Sequence, residues 1–316
     1  MDNRQEVREF LRSRRARITP EQVGLPAGAN RRVPGLRRTE VAALAGVSVE
    51  YYSRLERGAL AGVSASVLDA IARTLQFDDA ERAHLFDLAH AADGTSSILR
   101  PRRCAAKQWQ PRPSLQWMLD SVIDGAAFVR NARMDLLATN RLALAFHDDV
   151  YASATGTGRI PNLARFTFLD AAAQRFYADW EAAADTVVAI LRTEAGRDPR
   201  DRDLHDLVGE LSTRSNDFRP RWAAHNVRLH GSGVKAFHHH VVGDLTLAYE
   251  GMDLIAEPGL VLTVYSAEPG SESDERLRLL ASWAASQDAE KTASREPGRA
   301  QRTEADAWTS NRSRPQ

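Results

Sequence analysis

The sequence predicts an all-α head followed by an α+β domain, a five-stranded antiparallel sheet with a helical insert. Three observations carry that expectation. The first 92 residues place their apolar side chains at the three- and four-residue spacing of amphipathic helices. Residues 114–146 read as a helix, two short strands (AAFVRN and MDLLATN) and a second helix, and 170–223 then reads as helical. Finally VKAFHHHVVG, DLTLAYEGMDLI and LVLTVYSAE read as three strands turning at Gly243-Asp244 and Glu257-Pro258-Gly259, with a helix at 273–285. Helices inserted after the second of five strands make a PAS-like plan.

In the head, a helix near Glu6–Arg15 turns Val7, Phe10 and Leu11 to one face and arginines to the other. Arg12, Arg14, Arg15 and Arg17 are either a solvated face or reach for phosphates. Thr19-Pro20-Glu21-Gln22 opens a short helix that Gly24 and Pro26 end. A Gly-, Pro- and Arg-rich loop follows to Gly35, its Arg31 and Arg32 placed to lie along an anionic backbone. After Gly58, Val67, Leu68, Ile71, Ala72 and Leu75 mark another helix, and Asp78 with Glu81 forms a capping box for the last.

The centre of the head is LRRTEVAALAGVSVEYYSRLERG, residues 36–58. Ala42 lies four residues before Gly46, and Val47, Tyr52 and Leu55 stand one, six and nine after it. A small residue lets two helices cross closely, glycine tolerates the left-handed turn, and the apolar positions lock the crossing. Ser48 is placed to cap the second helix. This is a helix-turn-helix, and double-stranded DNA is the expected partner. The candidate contacts are Arg38 and Thr39 to phosphates, Ser48 at the helix start, and Val49, Glu50, Tyr51, Ser53 and Arg54 off the inner face of the second helix. Arginine can grip guanine O6 and N7, glutamate can accept from a cytosine amino group, and valine can meet a thymine methyl. Tyr51 serves equally well as packing, and Glu56 suits an ion pair with an arginine of the first helix.

Charge divides along the chain. Residues 1–107 hold 18 Lys and Arg against 13 Asp and Glu, whereas 108–316 hold 24 against 29. A basic head on an acidic body suits an anionic partner for the head alone. Cys104 is the only cysteine, which excludes an internal disulfide and a cysteine zinc cluster. The amino terminus lacks the apolar core of a signal peptide and no run is long enough for a membrane span, so a cytoplasmic protein is expected, with no membrane partner.

Boundaries are expected at 1–92 for the head, 93–113 for a Pro/Arg/Ser-rich linker, 114–286 for the second domain and 287–316 for a disordered tail. No nucleophile elbow, P-loop or paired carboxylate stands out, so no enzyme and no catalytic residue is expected. His238 and His240 share one strand face and His239 the other. With His225 or His230 they form either a metal site or hydrogen-bonded pocket histidines; a third ligand is not evident, and no metal or other cofactor is assigned.

Three segments carry a family resemblance: RRTEVAALAGVSVEYYSRLERG with its paired Tyr51-Tyr52, NLARFTFLDAAAQRFYADWEAAADTVVAILRTEAGRDP, and KAFHHHVVGDLTLAYE. Over roughly residues 5–285 the chain resembles the MmyB-like transcription regulators, which join a lambda-repressor-like (XRE-type) head to a PAS-like ligand-binding module. Val63 departs from the family, where a proline often opens the fourth helix. The resemblance implies a small apolar, fatty acid-like ligand. An acyl carboxylate would need a donor at the cavity edge: Arg165 first, then His225 or His238, with Phe168, Trp180 and Trp222 against the chain. The alternative is a second domain that only dimerises the heads or docks a partner. A homodimer on a two-fold operator is expected either way.

Overall fold

A computed structural model describes residues 2–26, 31, 33, 35–94, 109–156, 160–228 and 231–295. Arg32, Cys104, His230, Trp308 and most of the expected linker and tail lie outside the described residues.

The head comprises α1 (Asn3–Arg17), a single 3-10 turn at Glu21–Val23, α2 (Arg38–Leu44), α3 (Val49–Glu56), α4 (Ala65–Thr74) and α5 (Asp79–Ala92). Helix α1 begins three residues before the periodicity suggests, because the Asp2 carboxylate accepts from the Arg4 amide at 3.0 Å. Ser48 caps α3, accepting from the Tyr51 amide at 3.0 Å. Asp78 accepts from the Glu81 amide at 2.8 Å and the Glu81 carboxylate accepts in return from the Asp78 amide. Gly46 turns the chain between α2 and α3 with φ +69, a left-handed conformation that a β-carbon disfavours. Val7, Phe10, Leu11, Val41, Tyr52, Leu55, Leu68 and Leu85 pack into one core. Val227, from the far half of the chain, completes it.

The second domain opens with α6 (Pro113–Ser121), β1 (Gly125–Asn131) and β2 (Leu136–Thr139). Its helical insert is α7 (Arg141–Phe146), α8 (Asp148–Ala152), α9 (Leu163–Leu169), α10 (Ala172–Phe176), α11 (Trp180–Arg197), α12 (Arg202–Arg214) and α13 (Phe218–Ala223). Strands β3 (Ser232–His239), β4 (Gly243–Asp253) and β5 (Leu260–Ser266) follow, then α14 (Glu272–Arg295). The strands pair in the order β2-β1-β5-β4-β3, every neighbour antiparallel. Helix α6 covers one face with Leu115 and Leu119 against Ala127, Val129 and Leu262. The insert and α14 cover the other, where Phe128, Phe237, Leu245, Leu247 and Tyr265 point. A sheet covered on both faces explains why every residue of β1 is buried. Helix α14 continues to Arg295, past both the 285 expected for its end and the 287 expected for the start of a disordered tail.

Candidate nucleic-acid interface and ligand cavity

Helix α3 shows two faces. Tyr52, Leu55 and Glu56 are buried, and Val49, Glu50 and Arg54 are exposed, with Tyr51 and Ser53 between. Arg38, Thr39 and Ser48 are exposed beside them. All eight expected contact residues therefore lie outside the core. The Arg54 guanidinium lies 5.0 Å over the Tyr51 ring, one helical turn back, which limits where its donors can point. Glu56 is 1% exposed and forks between two arginines, Arg15 of α1 at 2.8 Å and Arg38 at 3.0 Å. Burial pushes its carboxyl up, but the hydrogen bonds and charge of Arg15 and Arg38 outweigh that and hold it below the usual range. Arg38 thus has a structural partner while its side chain stays half exposed. Other arginines expected to reach phosphates are committed elsewhere: Arg31 pairs with Glu40 at 2.7 Å, and Arg14 pairs with Glu81 at 2.7 Å. Arg17 donates to the Asn226 side chain at 2.6 Å.

That last contact belongs to a seam in which α1 and α5 of the head meet α11 and the segment after α13. Arg192 is 1% exposed and donates to the buried Glu6 at 2.5 Å. It also donates to the Trp222 carbonyl, lies 3.9 Å over the Trp222 ring and reaches His225 Nδ1 at 2.9 Å. A His225 ring protonated on Nε2 accepts that bond and pairs with Glu9 at 3.0 Å. The His225 carbonyl accepts from Arg14 at 2.5 Å, and its φ of +53 is a strained conformation that these contacts hold. Burial pushes Glu6 up; the histidine hydrogen bonds and the Arg192 charge together bring it well below the carboxylate range. Burial keeps the His84 imidazole neutral despite Glu6, 3.8 Å away. His225 therefore sits between domains and not in a ligand cavity.

The seam also tests packing. A β-carbon on Gly196 of α11 would stand 2.4 Å from His84 Cε1, and that ring is held edge-on against Phe10 at 4.9 Å. Gly196→Ala is expected to destabilise the protein by about 1–3 kcal/mol through overpacking, despite alanine's better helix propensity. Thermal unfolding checks it, and a stabilised variant would contradict the close approach.

The remaining ligand candidates are dispersed. Arg165 pairs with Glu210 at 2.9 Å. His238 is exposed and bonds Asp244 at 2.6 Å. Phe168 and Trp180 pack edge-on at 6.1 Å, Phe168 meets Phe218, and Trp222 stacks on Phe218. Of the histidine run, His239 is buried, with Nε2 at 3.2 Å from the Ala145 carbonyl and Nδ1 accepting from the Val241 amide. It lies near His240 and Asp148, but both of its ring nitrogens are already engaged.

The cavity lies instead between the sheet and α11. It is walled by Phe128, Met134, Phe176, Val187, Ile190 and Phe237, with Arg130, Lys235, Tyr177 and Tyr265 supplying polar groups. Its volume, about 30 Å³, suffices for little more than a water molecule. None of the six expected ligand residues lines it. Strand alternation carried a signal for two that do: Lys235 shares a face with Phe237, and Arg130 with Phe128, so each cation falls on an apolar face.

A helix-turn-helix head joined to a PAS-like domain defines a class, the DNA-binding transcription regulators with a ligand-binding module. Residues 6–85 match the helix-turn-helix domain family, and 111–280 match the MmyB-like transcription regulator ligand binding domain. The chain belongs to the MmyB-like transcription regulators. No curated protein matches it. No described helix is long and apolar enough to cross a membrane.

Proposed function

We propose that the protein is a cytoplasmic regulator that binds its operator as a homodimer and responds to a small apolar, fatty acid-like ligand in the PAS-like domain. The observation that carries the DNA half is the division of α3 into a locked inner face and an outer face free to enter a major groove. Support for the response comes from α11. Its Ala183, Thr186, Val187 and Ile190 line the cavity, and Arg192, Gly196 and Arg197 on its later turns meet the head. A cavity of about 30 Å³ cannot take an acyl chain as it stands, so a bound chain favours a conformation in which the walls have parted. Moving α11 disturbs the seam, and the head's placement with it.

Two arginines separate positioning from reading. Arg54→Ala is expected to cost about 1–3 kcal/mol on the operator and relax base preference at one position of each half-site. Arg38→Ala should weaken all sequences alike and flatten the salt dependence. Fluorescence anisotropy on a pseudo-palindromic operator, its half-sites about 34–36 Å apart, and on single-base variants measures both. Unchanged specificity in Arg54→Ala would put another residue at the base edges.

A further inference from the structure

The cavity wall has an unusual charge balance. Among the described residues that line it there are two strong bases, Arg130 and Lys235, and one histidine, but no aspartate or glutamate. Arg130 is 6% exposed and its described hydrogen bond, at 3.4 Å, goes to the Asn131 carbonyl of its own strand. The Lys235 ammonium lies 4.7 Å from the Tyr249 ring and 5.8 Å from the Tyr265 ring, and reaches the Tyr265 hydroxyl at 3.3 Å. Both cations stand on the sheet face that the helical insert covers, Arg130 on β1 and Lys235 on β3. Burying a charge is costly without a counter-charge, and the acids nearest in effect, Glu194 and Asp253, act on Arg130 from outside the cavity lining.

We propose that Arg130 and Lys235 hold the anionic head group, a carboxylate, of the ligand at the inner, sheet-facing end of this cavity, with its apolar tail against Phe128, Met134, Val187 and Ile190. The proposal rests on the ligand-binding reading above and gives that ligand a charge and an orientation. Tyr265 and Tyr177 complete the donor set. Burial raises both phenols, so each keeps its proton and can donate to a carboxylate oxygen. Burial, with Arg130 adding to it, pushes Lys235 down to about 7 in the empty cavity. A carboxylate at that point would restore its charge. His147 takes no part as a cation: burial lowers it to about 4, and its Nδ1 donates to the Ala143 carbonyl at 2.9 Å.

The test uses the full chain, freed of any carried ligand. Octanoic, dodecanoic and hexadecanoic acids are titrated against the three matching alcohols, with calorimetry and the melting temperature as readouts. The acids are expected to bind more tightly than the alcohols. Lys235→Met should weaken the best acid about tenfold or more, the loss of one charge-assisted hydrogen bond, and leave the alcohol nearly unchanged. Arg130→Met should act the same way, and Lys235→Arg should restore much of the difference. Far-UV circular dichroism confirms that each variant is folded; Lys235, on an edge strand and only partly covered, is the safer position. Equal affinity for acid and alcohol, or equal losses for both in Lys235→Met, would overturn the anion site and leave an apolar ligand standing. If neither series binds nor raises the melting temperature, the ligand-binding reading fails and the anion site with it.

Discussion

Arg192→Met is expected to destabilise the protein by about 3–5 kcal/mol, because it leaves the Glu6 carboxylate buried without its cation. The effect has a spectroscopic signature. All six tryptophans lie at position 109 or beyond, so tryptophan fluorescence reports the second domain alone, whereas far-UV circular dichroism reports both domains. In the wild type the seam couples the two, and urea unfolding should give coincident transitions. In Arg192→Met the circular dichroism should separate from the fluorescence as the head melts by itself. The deficit should also depend on pH. The Glu6 pKa is depressed in the folded protein, so its contribution is complete above the unfolded value of about 4.5 and is lost as pH falls through the folded value. The gap between variant and wild type should therefore narrow below about pH 4.5. Coincident transitions with an unchanged midpoint would show that the seam carries no free energy.

Glu56→Ala should be nearly as damaging, at about 3–5 kcal/mol, and its loss should fall on the head. The carboxylate is buried and neutralises Arg15 of α1 and Arg38 at the start of α2, so it ties both helices to the end of α3. Without it, two guanidinium groups face each other across an apolar cavity. DNA affinity should fall for every sequence alike, since what is lost is the placement of α3 and not a base contact. Glu56→Gln should be milder, because an amide keeps one acceptor for Arg15. Anisotropy titrations beside chemical unfolding check both. If Glu56→Ala lost affinity on one operator base only, Glu56 would be reading DNA.

How far these residues could be foreseen depended on distance along the chain. The turn at Gly46, the caps at Ser48 and Asp78 and the inner face formed by Tyr52 and Leu55 are set within a few residues. Local backbone geometry and a 3.6-residue period are enough to read them. The five strands and their antiparallel order were legible for a similar reason, since the apolar runs and their turns are short-range features. Periodicity likewise placed Arg165 beside Phe166 and Phe168, but it had no means of knowing that Glu210 would come to meet it. The Glu6–Arg192 pair joins residues 186 apart, and His225 is separated from Glu6 by 219. Which carboxylate a buried arginine meets is decided by how whole helices pack, and long-range packing leaves no mark on spacing. The sequence by itself thus determined the head, the sheet and the face of α3 that is free for DNA. Only the tertiary structure decided that α11 both walls the cavity and grips the head, and that the cavity's cations come from β1 and β3, because those neighbours are chosen by burial across the fold and not by proximity in the chain.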